Sequence, residues 1–184
     1  MRKPLAAAAT FAVAVGLATG LSAAAPPPAA AAPYCGIYWG SLAKSNATMT
    51  SAQVTGVRTG RHTCYDRMVV DLRGDVKGYD VRYTSVHREG SGQYVPLWGA
   101  GDIRITVKSP AYNSSGQATY APASWKNAKN VTGYRTFRQV AYAGSFEGQT
   151  TFGLGVRARL PFRVFVLDGP GNGSRLVVDV AHAW

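Results

Sequence analysis

Acidic side chains are scarce in this sequence. Nine Asp and Glu residues stand against 20 Lys and Arg residues, which gives a formal net charge of +11 at pH 7. A chain this basic is expected to meet an anionic partner. Nucleic acid, anionic lipid and cell-wall polymers all carry the required charge, so other features of the sequence must choose among them.

Histidine and cysteine are also rare, with three and two residues. His62, His87 and His182 lie in three separate segments, and none belongs to an HExxH-like pair. A Gly-x-Ser-x-Gly nucleophile elbow is absent, and two cysteines are too few for a zinc site. The sequence therefore predicts a protein that is not an enzyme and that uses no metal and no cofactor.

The N-terminus has the pattern of a secretory signal peptide. A short basic start, "MRK", precedes an apolar run over residues 5–21, and Ala-x-Ala cleavage options follow. The run is short, rich in alanine and interrupted by glycines, which favours a cleaved signal over a stable membrane anchor. We predict a signal peptide with an Ala/Pro-rich leader over residues 1–31 and one domain over residues 32–184. Export also makes nucleic acid an unlikely physiological partner.

Export would carry both cysteines into an oxidising compartment, where a Cys35–Cys64 disulfide is the default expectation. The bridge would attach the segment "CGIYWG" to the start of a strand. The chain-entropy model gives a stabilisation of about 3–4 kcal/mol for a loop of this size. Without Arg2 and Lys3, the predicted mature chain keeps 18 basic and 9 acidic side chains.

No sustained apolar period of 3.6 residues occurs after Pro33. Short β-branched and aromatic runs recur instead, separated by Gly, Pro, Asn and Asp, which is typical of an all-β sandwich. Strands are predicted over residues 53–58, 67–72, 78–85, 102–109, 135–142, 150–157, 162–167 and 175–181.

Nearly the same hexapeptide occurs twice, as "RMVVDL" at residues 67–72 and as "RLVVDV" at residues 175–180. Strand alternation places the second, fourth and sixth residue of each copy in the core and the aspartate on the other face. An aspartate beside valines needs a partner, so Asp71 and Asp179 are expected to form ion pairs, with Arg67 and Arg175 as candidates. The repeat predicts a two-sheet sandwich with two pseudo-repeated halves.

A family resemblance rests on two segments. Residues 150–180, "TTFGLGVRARLPFRVFVLDGPGNGSRLVVDV", resemble the signature half of the AMIN domain: an apolar strand, an aromatic-Arg-Val-Phe-x-Leu strand, a Pro-containing turn and then Arg-Leu-Val-Val-Asp-Val. The earlier segment "VTGVRTGRHTCYDRMVVDLRG" resembles the N-terminal strands of that domain. Together, residues 35–184 are similar to the AMIN-like domain of secreted proteins from high-GC Gram-positive bacteria.

The resemblance implies a two-sheet β-sandwich with a non-catalytic role in the cell envelope. AMIN domains are typically appended to cell-wall amidases and secretion-pore proteins, which they help to place on peptidoglycan. The basic surplus fits such a role because arginine offers forked donors to the carboxylates and phosphates of wall polymers.

The candidate binding residues combine arginines near the second half of the sandwich with aromatics of a long connection. Residues 86–101 and 110–132 are predicted loops, and aromatic rings in them could stack on sugars. The predicted binding residues are Arg135, Arg138, Arg157, Arg159, Arg163, Tyr112, Tyr120 and Trp125. Arg157 and Arg159 would lie on one side of a strand that continued to Leu160.

The predicted function is binding of peptidoglycan or an anionic wall polymer by a secreted, cell-wall-associated protein. Two alternatives remain open. One is a protein-interaction module that regulates a wall hydrolase in trans through an envelope partner. The other is a secreted hydrolase that assembles His62, His182 and Glu147, although Glu147 is the only acid between Ile103 and Leu167 and is expected to pair with an arginine.

Overall fold

The computed structural model describes residues 33–184, so the predicted signal peptide and leader over residues 1–31 lie outside the described part. Within residues 33–184 the regular secondary structure is entirely β, which confirms the predicted fold class. All eight predicted strands are present with small shifts at their ends. A ninth, very short strand, Lys44–Asn46, was not predicted because its three residues carry no apolar alternation.

Numbered along the chain, the strands are β1 (Lys44–Asn46), β2 (Gln53–Arg61), β3 (Tyr65–Arg73), β4 (Tyr79–Tyr83), β5 (Gly101–Val107), β6 (Phe137–Phe146), β7 (Gln149–Val156), β8 (Phe162–Asp168) and β9 (Gly173–Ala181). They form two antiparallel sheets: a five-stranded sheet in the order β1-β4-β5-β7-β6 and a four-stranded sheet in the order β2-β3-β9-β8. One apolar cluster fills the space between the sheets.

The two hexapeptides pair with each other. They lie in β3 and β9, the central strands of the four-stranded sheet, with Arg67 opposite Asp179 and Asp71 opposite Arg175. Met68, Val70 and Leu72 from one copy, and Leu176, Val178 and Val180 from the other, are buried in the core as the alternation predicts. The repeat therefore supplies both inner strands of one sheet.

The antiparallel pairing places a carboxylate at each end of the outer face of this sheet, and the two ends differ. Asp179 is fully buried and accepts two hydrogen bonds from Arg67, at 2.6 and 2.9 Å, and one from Arg163 at 2.8 Å. Asp71 keeps 27% of its side chain exposed and pairs with Arg58 of β2 instead of Arg175. Arg175 donates to the backbone carbonyl of Asp168.

The connection over residues 86–101 packs on the outer face of the five-stranded sheet. Val86, Val95 and Leu97 form a small apolar cluster there with two alanines of β6. Glycines of β7 make room for it: a Cβ on Gly155 would lie 2.2 Å from the carbonyl oxygen of Trp98. The sequence "TFGLGV" therefore suits a strand that is covered on both faces.

The connection over residues 110–132 closes the edge of the same sheet. Backbone amides of Ala128 and Tyr142 pair the loop with β6, through the carbonyls of Val140 and Trp125. An uncovered edge strand would offer free hydrogen-bonding groups to other chains, and the loop removes that hazard here. Both long connections are ordered parts of the sandwich.

Cys35 and Cys64 form a disulfide, with a Cα–Cα distance of 6.4 Å, which confirms the predicted pairing. Cys64 directly precedes β3, so the bridge attaches the N-terminal segment to the start of the first hexapeptide strand. The aromatic ring of Trp39 from this segment lies 5.9 Å from that of Tyr65. The segment thus covers the end of the four-stranded sheet where Asp179 is buried.

The two hexapeptide aspartates provide a matched pair of variants. Asp179→Ala leaves two half-buried guanidinium groups without their acceptor, and we expect it to lower the free energy of unfolding by about 2–4 kcal/mol. Asp71→Ala breaks an exposed pair in which Arg58 is 58% exposed, and should cost less than about 1 kcal/mol. Urea unfolding of both variants measures the difference, and equal losses would contradict the assignment of Asp179 as the structural partner.

The close contact at Gly155 gives a second prediction. Gly155→Ala should lower stability by about 1–3 kcal/mol because the added methyl group meets the backbone of the loop rather than a movable side chain. Gly40→Ala is the control, since no atom lies within 4 Å of its added Cβ. Thermal unfolding reports the effect, and a Gly155→Ala variant as stable as Gly40→Ala would refute the packing.

Candidate functional site

The eight predicted binding residues do not form one surface in the structure. β7 ends at Val156, so Arg157 and Arg159 do not alternate along a strand as their spacing suggested. Arg157 donates from its Nη2 to the backbone carbonyl of His182. The guanidinium of Arg159 lies 4.7 Å from the ring centroid of Tyr83. Both arginines thus contact groups of the sandwich itself.

Tyr83, whose ring lies beneath Arg159, is held in place by two hydrogen bonds. Its hydroxyl donates to the carbonyl of Leu160 at 2.7 Å and accepts from the amide of the same residue at 2.9 Å. Burial raises the pKa of Tyr83 to about 12, against the lowering effects of the Leu160 hydrogen bond and the Arg159 charge. The tyrosine therefore remains a neutral anchor for the chain between β7 and β8 at physiological pH.

Arg163 lies on the outer face of the four-stranded sheet, among residues from several segments of the chain. Its guanidinium shares Asp179 with Arg67 and lies 5.1–5.4 Å from the rings of Trp39, Tyr65 and Phe165. Contacts of this kind stabilise a partly buried arginine. The motif residues Arg67 and Asp179 and the predicted site residue Arg163 therefore form one structural cluster.

The three predicted aromatics have different environments. Tyr120 packs edge-on against Tyr142 at 5.3 Å, and burial, followed by the charge of Tyr142, raises its pKa to about 12. The hydroxyl of Tyr112 accepts a hydrogen bond from the amide of Gly148. Trp125 is partly exposed beneath Arg88, whose guanidinium lies 4.8 Å from its ring. Among these three, only Trp125 offers a substantial part of its ring to solvent.

Arg138 borders a concave surface that the sequence did not reveal. A cavity of about 510 Å³ lies between the two long connections, beside β6. We call it the loop cleft and define it by Trp98, Asn127, Lys129, Asn130, Tyr134 and Arg138. Arg135, the neighbouring predicted residue, is exposed in the turn before β6.

Gln139 positions both walls of the loop cleft. Its buried side chain accepts a hydrogen bond from the Trp98 amide at 2.7 Å and donates one to the Lys126 carbonyl at 2.8 Å. Each long connection is thereby attached to the same residue of β6. A single amide side chain thus links the two long connections.

The cleft combines the groups that a charged saccharide requires. Trp98 is 61% exposed, and the rings of Tyr134 and Phe137 stack at 5.8 Å beneath the opposite wall. The amides Asn127 and Asn130 offer donors and acceptors, and Lys129 and Arg138 supply positive charge. A sugar C–H face can pack on an exposed indole while a carboxylate meets the basic side chains.

Trp98 lies in the predicted loop over residues 86–101 but is not among the predicted binding residues. The backbone of Trp98 attaches the loop to the sheet, because its amide donates to Gln139 and its carbonyl oxygen lies close to Gly155. The residue as a whole is 61% exposed. The signal that could have found it is the pair of glycines in "TFGLGV", which indicates that another chain segment lies on β7. Tyr134 carries no comparable signal.

Two of the residues considered for catalysis, His182 and Glu147, have separate structural roles. His182 is buried, with Nε2 3.2 Å from the Asp66 carboxylate and Nδ1 3.2 Å from the Thr63 carbonyl. Glu147 is exposed at the β6–β7 hairpin with φ of 48°, and no ion pair of Glu147 occurs within residues 33–184, so the pairing expected for it was wrong. A hairpin turn, which requires positive φ, explains its position.

Two further searches cover the described part of the chain. Residues 33–184 contain no group of three or more His, Cys, Asp or Glu side chains arranged to hold a metal ion. In the same part, no helix is long and apolar enough to cross a membrane.

Comparison with protein-family models identifies an AMIN-like domain over residues 52–182. Comparison with curated proteins and with solved structures gives no match. AMIN-like domains are non-catalytic binding domains associated with cell-wall proteins, in an extracytoplasmic envelope context. Because the matched region includes eight of the nine strands, both hexapeptides and both long connections, the chain belongs to the AMIN-like domain family.

Proposed function

We propose that this protein is secreted and binds peptidoglycan, or an anionic polymer associated with it, through the loop cleft. The observation that carries the proposal is a cavity of about 510 Å³ bordered by the exposed residue Trp98 together with basic and amide residues. Peptidoglycan presents sugar faces and stem-peptide carboxylates in close succession. The cleft offers a complementary group to each.

The charge of the protein supports the same partner. A polymer with repeated carboxylates attracts a basic domain over distances near the Debye length, about 8–10 Å at moderate salt. Arg138 is well placed for direct contact, because its side chain hydrogen-bonds to neighbouring backbone carbonyls, which orders it at the rim of the cleft. Long-range attraction and local recognition would then act together.

Co-sedimentation with purified sacculi at low and moderate salt tests the proposal. We expect salt-sensitive pelleting without digestion of the wall, and about tenfold weaker binding for Trp98→Ala because it removes the stacking surface. Trp184→Ala is the matched control, since Trp184 is also exposed but lies outside the cleft. Equal binding by both tryptophan variants would remove the loop cleft from consideration.

A second pair of variants separates the two basic surfaces. Arg138→Gln should weaken binding and flatten its salt dependence if the loop cleft is the site. The double variant Arg157→Glu/Arg159→Glu tests the surface that the sequence suggested. A loss of wall binding by a folded Arg157/Arg159 variant, with Arg138→Gln unaffected, would move the site to that surface.

The alternative function, regulation of a wall hydrolase in trans, predicts a different outcome. The protein would remain in the supernatant with bare sacculi at both salt concentrations and would bind an envelope enzyme instead. No contact within the described residues favours this reading over polymer binding, so it serves here as the competing result of the sedimentation experiment.

A further inference from the structure

We propose that the outer face of the five-stranded sheet holds a second anion site, for a phosphate group. It occupies a cavity of about 340 Å³ whose lining includes Asp80, Arg88, Glu89, Arg104, Lys108 and Gln149, which we call the Arg104 pocket. The pocket shares no lining residue with the loop cleft, and the proposal does not depend on polymer binding there.

The first argument is an arginine with too little counter-charge. Arg104 of β5 lies directly opposite Arg82 of β4, a cross-strand position where like charges repel. One carboxylate, Asp80, serves both. It accepts hydrogen bonds from Nε and Nη2 of Arg82, whereas Nη2 of Arg104 is 3.5 Å away.

The remaining donors of Arg104 are poorly satisfied. Its Nε is buried and has no hydrogen-bond partner within residues 33–184. Burial alone would raise the pKa of Asp80, but the hydrogen bonds and charges of Arg82 and then Arg104 outweigh this effect and lower it. Asp80 is therefore an ionised acceptor that is already occupied by Arg82, and Arg104 keeps an excess of charge.

The second argument is that two further basic residues border the pocket and have no carboxylate partner among the described residues. Arg88 lies over the ring of Trp125, and Lys108 donates from Nζ to the neutral amide oxygen of Gln149. Within the described residues, neither forms an ion pair shorter than 4.0 Å. Three basic residues from two chain segments thus border one concave surface.

The remaining acid of the pocket, Glu89, forms no ion pair with these cations within the described residues. The hydroxyl of Thr151 donates to Glu89 Oε1 at 2.6 Å, so in the 2.8 Å contact between the two threonines Thr106 must be the donor. This chain of hydrogen bonds fixes Glu89 against β7. Glu89 borders the pocket, and its negative charge opposes the binding of an anion. Within the described part of the chain, it does not pair with any of the three basic residues.

A phosphate group suits this arrangement better than a single carboxylate. Two guanidinium groups and an ammonium offer more donors than two carboxylate oxygens accept, whereas phosphate presents three or four oxygens and up to two charges. The source could be free phosphate or the phosphodiester of a wall polymer, and both share the same chemistry of recognition.

Titration of the purified protein with inorganic phosphate, against chloride at equal ionic strength, tests the site. Phosphate should raise the unfolding temperature more than chloride and should shift the backbone resonances of β4, β5 and residues 87–89. Arg104→Gln and Lys108→Gln should each weaken binding about tenfold or more, because each removes a charged donor. Arg73→Gln, an exposed arginine outside the pocket, should bind as the unmodified protein does.

Glu89→Gln provides a test of opposite sign. It keeps the acceptor for Thr151 and removes the opposing charge, so phosphate binding should tighten about two- to fivefold. If Arg104→Gln fails to fold, Lys108→Gln still tests the site. Stabilisation no greater than with chloride, or equal losses in Lys108→Gln and Arg73→Gln, would overturn the proposal.

Dimethyl phosphate distinguishes the two sources. Comparable affinity for this monoanionic diester would assign the site to a phosphodiester polymer, and binding of inorganic phosphate alone would assign it to free phosphate or a terminal monoester. Binding of neither would refute the site. Because sacculi binding and phosphate binding are measured on separate variants, failure of one proposal does not imply failure of the other.

Discussion

The antiparallel pairing of β3 with β9 is the interaction on which the rest of the molecule depends. Each strand contributes three fully apolar residues to the core, and the register that aligns Arg67 with Asp179 also sets which faces are inside. A shift by one residue would move every apolar side chain to the outer face. The buried ion pair opposes such a shift, because it would separate Asp179 from Arg67 and leave a carboxylate among valines.

The pairing also explains how distant parts of the chain meet. Arg67 and Asp179 are 112 residues apart in sequence, and Arg163 reaches the same carboxylate from β8. The disulfide then brings the N-terminal segment to this end of the sheet, where Trp39 covers Arg163. The long connections lie on the outer face and at the edge of the other sheet, where they form the loop cleft.

The alternation of apolar residues predicted the strands and their buried faces, but it did not identify the partners of the charged residues. Strand alternation in residues 67–72 and 175–180 reflects burial of one face, a local property that a pattern records faithfully. The partners of Asp71 and Asp179 depend on strand order, which the pattern does not record: Arg58 reaches Asp71 because β2 is the neighbour of β3. Strand alternation likewise does not set the positions of Arg157 and Arg159, because β7 ends at Val156. Both side chains are exposed, and their role in binding stays a prediction.

The scarcity of acids, the first feature of the sequence, acquires a spatial meaning in the folded chain. Within residues 33–184, three carboxylates provide every arginine ion pair, and they engage five arginines: Asp71 with Arg58, Asp80 with Arg82 and Arg104, and Asp179 with Arg67 and Arg163. Where the shared carboxylate is fully buried, as at Asp179, aromatic rings cover the arginines and the cluster is structural. Where it lies at a cavity, as at Asp80, the surplus charge faces a space that a ligand can occupy. In the four-stranded sheet, the buried carboxylate of Asp179 accepts hydrogen bonds from both of its arginines. In the five-stranded sheet, the partly exposed carboxylate of Asp80 is occupied by Arg82, and Arg104 keeps a buried donor without a partner among the described residues.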